Sequence, residues 1–162
     1  MNYVPWVFAA AMVPVSVQAA VPLSAALDAG LAAYAAGDFA RARGDLRPLA
    51  DRGSAIAETM MGVMAAKGQG RPVDLAAAAG WWLRAANRGY APAQLAMAKA
   101  LAAGRGVTPD AGQAWVWAKL AASAGNGMKA EAEALAGGLE AGWGAEARAG
   151  LEAERAAWRP WP

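Results

Sequence analysis

Residues 54–89 and 90–125 are two readings of one unit at an offset of 36. Overlaid, they match Gly68 with Gly104, Gly70 with Gly106, Asp74 with Asp110, Trp81 with Trp117 and Gly89 with Gly125. Ala78, Ala85 and Ala86 match Ala114, Ala121 and Ala122. Alanine matches mean little in so alanine-rich a chain. The matched tryptophans, glycines and aspartates set the register. A repeat of this length implies a stacked array, because one unit cannot bury its apolar face alone and stacked neighbours can.

Each unit reads as two helices. The first is expected over 55–67 and again over 91–103, with Pro92 near the start of the second copy, where its missing N–H costs nothing. Gly68 and Gly104 end these helices, because the left-handed residue after a helix is easiest without a Cβ. Asp74 and Asp110 open the second helix of each unit as N-caps. Gly89 and Gly125 close it. The stretch "GQGRPVD" at 68–74 and its echo "GRGVTPD" are therefore turns. They lack the spacing and the lysine of a phosphate-binding loop, and the third glycine of a dinucleotide loop.

The flanks extend the array. Residues 23–53 read as a shorter first hairpin with a tight Gly37-Asp38 turn. Residues 126–162 read as two capping helices, about 128–141 and 145–158, broken at Gly142-Trp143-Gly144. Polar terminal helices suit the end of a stacked array. β-branched residues are scarce and alanine, the best helix former, is abundant. The expected fold is all-α: an α-solenoid of about four stacked antiparallel hairpins.

These spacings resemble the Sel-like repeat family, relatives of the tetratricopeptide repeat. The second unit keeps the family's Gly104, Gly106, Val107, Asp110, Ala114, Trp117, Ala121, Ala122 and Gly125. The first full unit keeps Gly62, Gly68, Gly70, Asp74, Ala78, Trp81, Ala85, Ala86 and Gly89. It departs at Arg71, where valine is usual, and the second unit departs at Ala98, where glycine is usual. The Arg71 turn is expected to be the looser of the two, with its arginine facing water or a partner. The resemblance implies a scaffold that binds another protein or peptide on a concave surface, without catalysis and without a cofactor. Some secreted relatives are cysteine-rich and were described as β-lactamase-like. This chain has no cysteine, so that branch does not transfer.

Chemistry is poorly supplied. There is no histidine, which removes the commonest general base and transition-metal ligand. Acidic pairs at Glu131/Glu133 and Glu152/Glu154 stand two apart and point to different sides of a helix. No motif supports a metal site. The rival reading is a peptidoglycan-related cell-envelope hydrolase, which would bring Glu131, Glu140, Glu146 and Glu152 into one cleft. The net charge is +2, but residues 41–119 carry eleven Lys/Arg against five Asp/Glu. No basic run forms, so these read as solvated helix faces, and nucleic acid is not an expected partner.

Trp81 and Trp117 recur at helical spacing and are expected in the core. Trp82 and Trp115 align with Ala118 and Ala79 and do not recur. Core positions tend to recur, so these two, with Arg84 and Arg88 four apart on one helix, are the partner-binding candidates at a groove or terminal face. Trp158 and Trp161 in "WRPWP" either staple the tail to the cap or leave an apolar end.

The first residues, "MNYVPWVFAAAMVPVSVQAA", are uncharged and end in small side chains. They resemble a secretory signal over 1–19, with cleavage between Ala19 and Ala20 or just after Ala20. The expected location is periplasmic or secreted, with no stable membrane insertion after cleavage. A retained anchor and an ordinary cytoplasmic N-terminus are the alternatives. The apolar stretch is short for a span and Pro14 interrupts it.

Overall fold

The computed structural model describes residues 23–125 and 127–162. The expected signal segment 1–19, with Ala19 and Ala20, lies outside them. The described residues form eight helices and no strand. They are α1 (Leu23–Ala35), α2 (Phe39–Asp51), α3 (Ala55–Lys67), α4 (Leu75–Asn87), α5 (Ala91–Ala103), α6 (Ala111–Ser123), α7 (Lys129–Leu139) and α8 (Ala145–Ala157). The fold is an α-solenoid, each helix packing on the next along the stack from α1 to α7.

Local chemistry explains the boundaries. The Asp38, Ser54, Asp74 and Asp110 side chains accept from the backbone N–H three residues on, at 3.0, 3.4, 2.8 and 2.9 Å. Each cap satisfies one of the donors a helix start leaves free. Gly68 and Gly104 take the left-handed conformation at φ 68° and 64° and end α3 and α5. Pro92 sits in the first turn of α5.

Small side chains hold the stack together. Ala42, Ala57, Ala78, Ala85, Ala86, Ala93 and Ala98 are all fully buried, which lets the helices approach closely. Leu46, Leu49, Met61 and Met64 fill the first core. Met97, Leu101, Trp115 and Trp117 fill the second. The units lock at the turns: a Cβ on Gly106, at φ 77°, would run into the backbone of Leu75 and Ala76 at the start of α4. The same carbon on Gly70 would stop 3.3 Å from the Phe39 Cβ. At Gly70 the Arg71 turn is the more open of the two, but at Gly68 it is the tighter: a Cβ there would lie 2.9 Å from Val73, against 3.3 Å from Pro109 at Gly104.

The closing helices converge on α6, since both α7 and α8 pack against it. Trp143 meets Trp115 edge-on at 6.3 Å, and Trp158 meets Trp117 edge-on at 6.0 Å. The tail then returns to the end of α4. Trp161 N–H donates to the Asn87 carbonyl at 2.6 Å, and Arg88 Nη1 donates to the Pro162 carbonyl at 3.1 Å. Trp158 is therefore a staple, while the Trp161 side chain stays 55% exposed.

Candidate functional site

Arg43 and Arg47 stand four apart on α2, so their side chains leave the helix on one face. The α3–α4 loop brings Arg71 to the same opening. Together they rim a cavity of about 540 Å³, floored by Met61, Ala65, Leu75 and Trp81. Val73, 60% exposed, adds an apolar edge. The Trp81 ring carries two guanidinium groups over it, Arg84 at 4.6 Å and Arg47 at 5.2 Å from its centroid. Such stacking holds a cation at the ring.

The charges around this opening are unequally matched. Arg47 Nε donates to both Asp51 oxygens, at 3.0 and 2.8 Å. Asp74 also lines the cavity, but its Oδ1 is occupied by the Ala77 N–H as the α4 cap. Arg43 and Arg71 form no ion pair with any described carboxylate. Burial, then the like charges of Arg71 and Arg47, lower the pKa of Arg43. Arginine stays charged under these conditions, so the groove presents a net positive field. It offers anion recognition and an apolar floor. It offers no nucleophile with a base.

The acidic residues proposed for hydrolysis do not gather. Glu131 pairs with Lys99 at 2.6 Å, Glu140 accepts from Trp115 at 3.1 Å, and Glu152 pairs with Arg155 at 2.7 Å. Glu146 lies in the first turn of α8. Among the described residues no group of three His, Cys, Asp or Glu side chains could hold a metal. No described helix is long and apolar enough to cross a membrane.

Of the two tryptophans expected in the core, Trp117 is buried at 7% exposure. Trp81 is only partly buried: it packs against the first core, lines the groove and carries Arg47 and Arg84 over its ring. Trp115 does not sit at a groove or terminal face. It is 2% exposed, and its Nε1–H donates to Glu140 Oε2. The position differs from Ala79 because Trp115 faces the closing helices, where Trp143 and Glu140 make room for a large ring.

Trp82 is half-buried, its indole lying over Gly62 on α3, and it lines a small cavity of about 190 Å³ with Ala96, Lys99, Ala100 and Arg105. Arg84 and Arg88 do share a face, but they point at Glu58, which is fully buried. Arg84 Nη2 lies 2.9 Å and Arg88 Nε 3.4 Å from its oxygens. Neither Glu58 oxygen accepts a well-aligned hydrogen bond, so the attraction is chiefly charge on charge. Arg84 also donates to the Ala50 carbonyl at 3.0 Å, tying α4 to α2. Both arginines thus serve the fold first.

The sequence reading missed Arg43 and Arg47. Their four-residue spacing on α2 was visible; their meeting with Arg71 was not.

Comparison with known proteins agrees with this architecture. The Sel1 repeat family matches residues 55–90 and 91–126. Sel1 repeats generally mediate protein–protein interaction, and proteins of this fold are generally non-catalytic scaffolds. A protective antigen of uropathogenic Escherichia coli strains, displaying an SLR fold, superposes with a TM-score of 0.74 at 23% identity. The match covers 84% of this chain and 29% of the antigen. A Sel1 repeat protein from Oxalobacter formigenes superposes with a TM-score of 0.65 at 26% identity, over 70% of this chain and 45% of that one. This chain thus spans less than half the length of either. No curated protein matches it in sequence.

Proposed function

We propose that this chain, which carries two Sel1 repeats, is an exported, non-catalytic scaffold that holds another protein through its groove. The observation that carries the reading is the open cavity between α2, α3 and α4. It pairs an apolar floor with two guanidinium groups, of Arg43 and Arg71, that no described carboxylate pairs, and it contains no nucleophile with a base. An open cavity of about 540 Å³ that joins an apolar floor to a charged rim supports binding. Export rests on the uncharged, small-residue-terminated N-terminal stretch.

Two measurements test this. The first is cell fractionation with N-terminal sequencing of the full-length product expressed in its native host. Export predicts a mature chain starting at Ala20 or Val21 in the periplasm or medium. An intact Met1 on cytoplasmic protein would sink that part. The second is crosslinking pull-down from an envelope extract, wild type against Trp81→Ala. Scaffold function through the groove predicts a defined partner lost in the variant while helicity is kept. Identical recovery by both proteins would move binding to another surface.

A further inference from the structure

We infer that the groove takes an acidic peptide segment, its carboxylates on Arg43 and Arg71 and an apolar side chain on the Trp81 floor. This rests on the scaffold reading and names the chemistry of its partner.

Three observations converge. The first is uncompensated charge. The other basic side chains at the opening are already engaged, Arg47 with Asp51 at 2.8 Å and Arg84 with Glu58 at 2.9 Å. Arg43 and Arg71 are not, although Arg71 stands close enough to disfavour the charge on Arg43. Like charges held together without a counter-ion cost the free protein stability, and a bound carboxylate recovers it. Guanidinium forks suit carboxylates bidentately, which gives orientation as well as attraction.

The second is the floor. Met61, Ala65, Leu75 and the part of Trp81 left open by Arg47 and Arg84 are apolar, with Val73 at the edge. A simple inorganic anion would leave this surface wet. A peptide alternating acidic and apolar side chains covers both. The third is the acid on the rim. Asp74 lines the cavity beside the arginines, and Asp51 holds Arg47. They would oppose a continuous phosphate backbone, whereas a peptide can place its carboxylates selectively. The positive charge is also a cluster at one opening, not the stripe that a nucleic-acid strand follows.

The test is fluorescence anisotropy on the full chain with a fluorescein-labelled peptide of alternating glutamate and leucine. A matched glutamine–leucine peptide is the comparison. The glutamate peptide is expected to bind at least about tenfold more tightly, and to weaken as salt rises. Arg43→Gln and Arg71→Val are each expected to weaken it about tenfold, with Arg71→Lys recovering part of the loss. Neither arginine is in an ion pair, so both variants should keep wild-type circular dichroism, with a melting midpoint no lower than wild type because like-charge repulsion is relieved. Arg41→Gln, engaged with Asp45 away from the groove, should bind like wild type.

Equal affinity for the two peptides, or no effect of Arg71→Val, would overturn the proposal. So would displacement of the peptide by a single-stranded oligonucleotide, or by inorganic phosphate, at a lower concentration than by unlabelled peptide. A second copy offering its acidic α8 is a further rival. Concentration-dependent association in sedimentation, lost in Arg71→Val, would favour it and overturn a separate partner. If the peptide fails while pull-down still recovers a partner lost in Trp81→Ala, the scaffold reading stands and only the acidic chemistry falls.

Discussion

Removing Trp82 and filling Gly62 should partly cancel, because the two positions share one volume. A Cβ built on Gly62 would overlap the Trp82 indole, coming within 3.0 Å of Cε2 and closer still to Cδ1 and Nε1. The corresponding positions one unit later are Ala98 and Ala118, and both are fully buried. One unit therefore uses glycine plus tryptophan where the other uses alanine plus alanine. Trp82→Ala on a half-buried ring should cost about 2–3 kcal/mol, below the 3–5 of a fully buried one. Gly62→Ala alone gains about 0.5–1 kcal/mol of helix preference. It loses about 1–3 kcal/mol to overpacking against the indole. In the double variant the clash is gone and the helix gain remains, so it should be about 0.5–1 kcal/mol more stable than Trp82→Ala alone. Urea unfolding of all four proteins by far-UV circular dichroism reads these differences as midpoint shifts at constant slope. The singles and the double should disagree with additivity by about 1–3 kcal/mol. If they add to within about 0.5 kcal/mol, the shared-volume reasoning is wrong.

Gly106→Ala should destabilise more than Gly70→Ala. Both lose about 1–2 kcal/mol by placing alanine in a left-handed conformation, but only Gly106 also drives its Cβ into the Leu75–Ala76 backbone; equal melting midpoints would refute this. Glu58→Ala should cost about 1–3 kcal/mol. That is less than a fully buried pair would lose, because the Arg84 and Arg88 side chains are 39% and 30% exposed and can turn to water; an unchanged denaturation midpoint would contradict it. Gly80→Ala, with nothing within 4 Å of the added carbon, should stabilise by about 0.5–1 kcal/mol, visible as a raised melting temperature; a lowered one would show a contact the geometry does not contain.

Much of the fold was legible because it is written in local chemistry. Asp74, Asp110, Gly68 and Gly104 act within one turn of chain, so their roles follow from spacing. Non-recurrence was a poorer guide. Trp115 differs from Ala79 because its neighbours are the closing helices, and Trp82 differs from Ala118 because glycine replaces alanine opposite it. A position can change between repeats when its neighbour changes, and this does not require a partner.

The sequence by itself determined the helices, their caps and the stacked register, since a 36-residue echo leaves little else that buries its apolar faces. Only the tertiary structure decided which charges are spent and which are left over. Arg84 and Arg88 read as free on their helix, yet they neutralise Glu58 from the neighbouring α3. Arg43 and Arg71 lie 28 positions apart with no run between them, yet α2 and the α3–α4 loop bring them to one opening. Caps and turns are settled along the chain. Charge balance is settled across it, between helices that meet only once the hairpins stack.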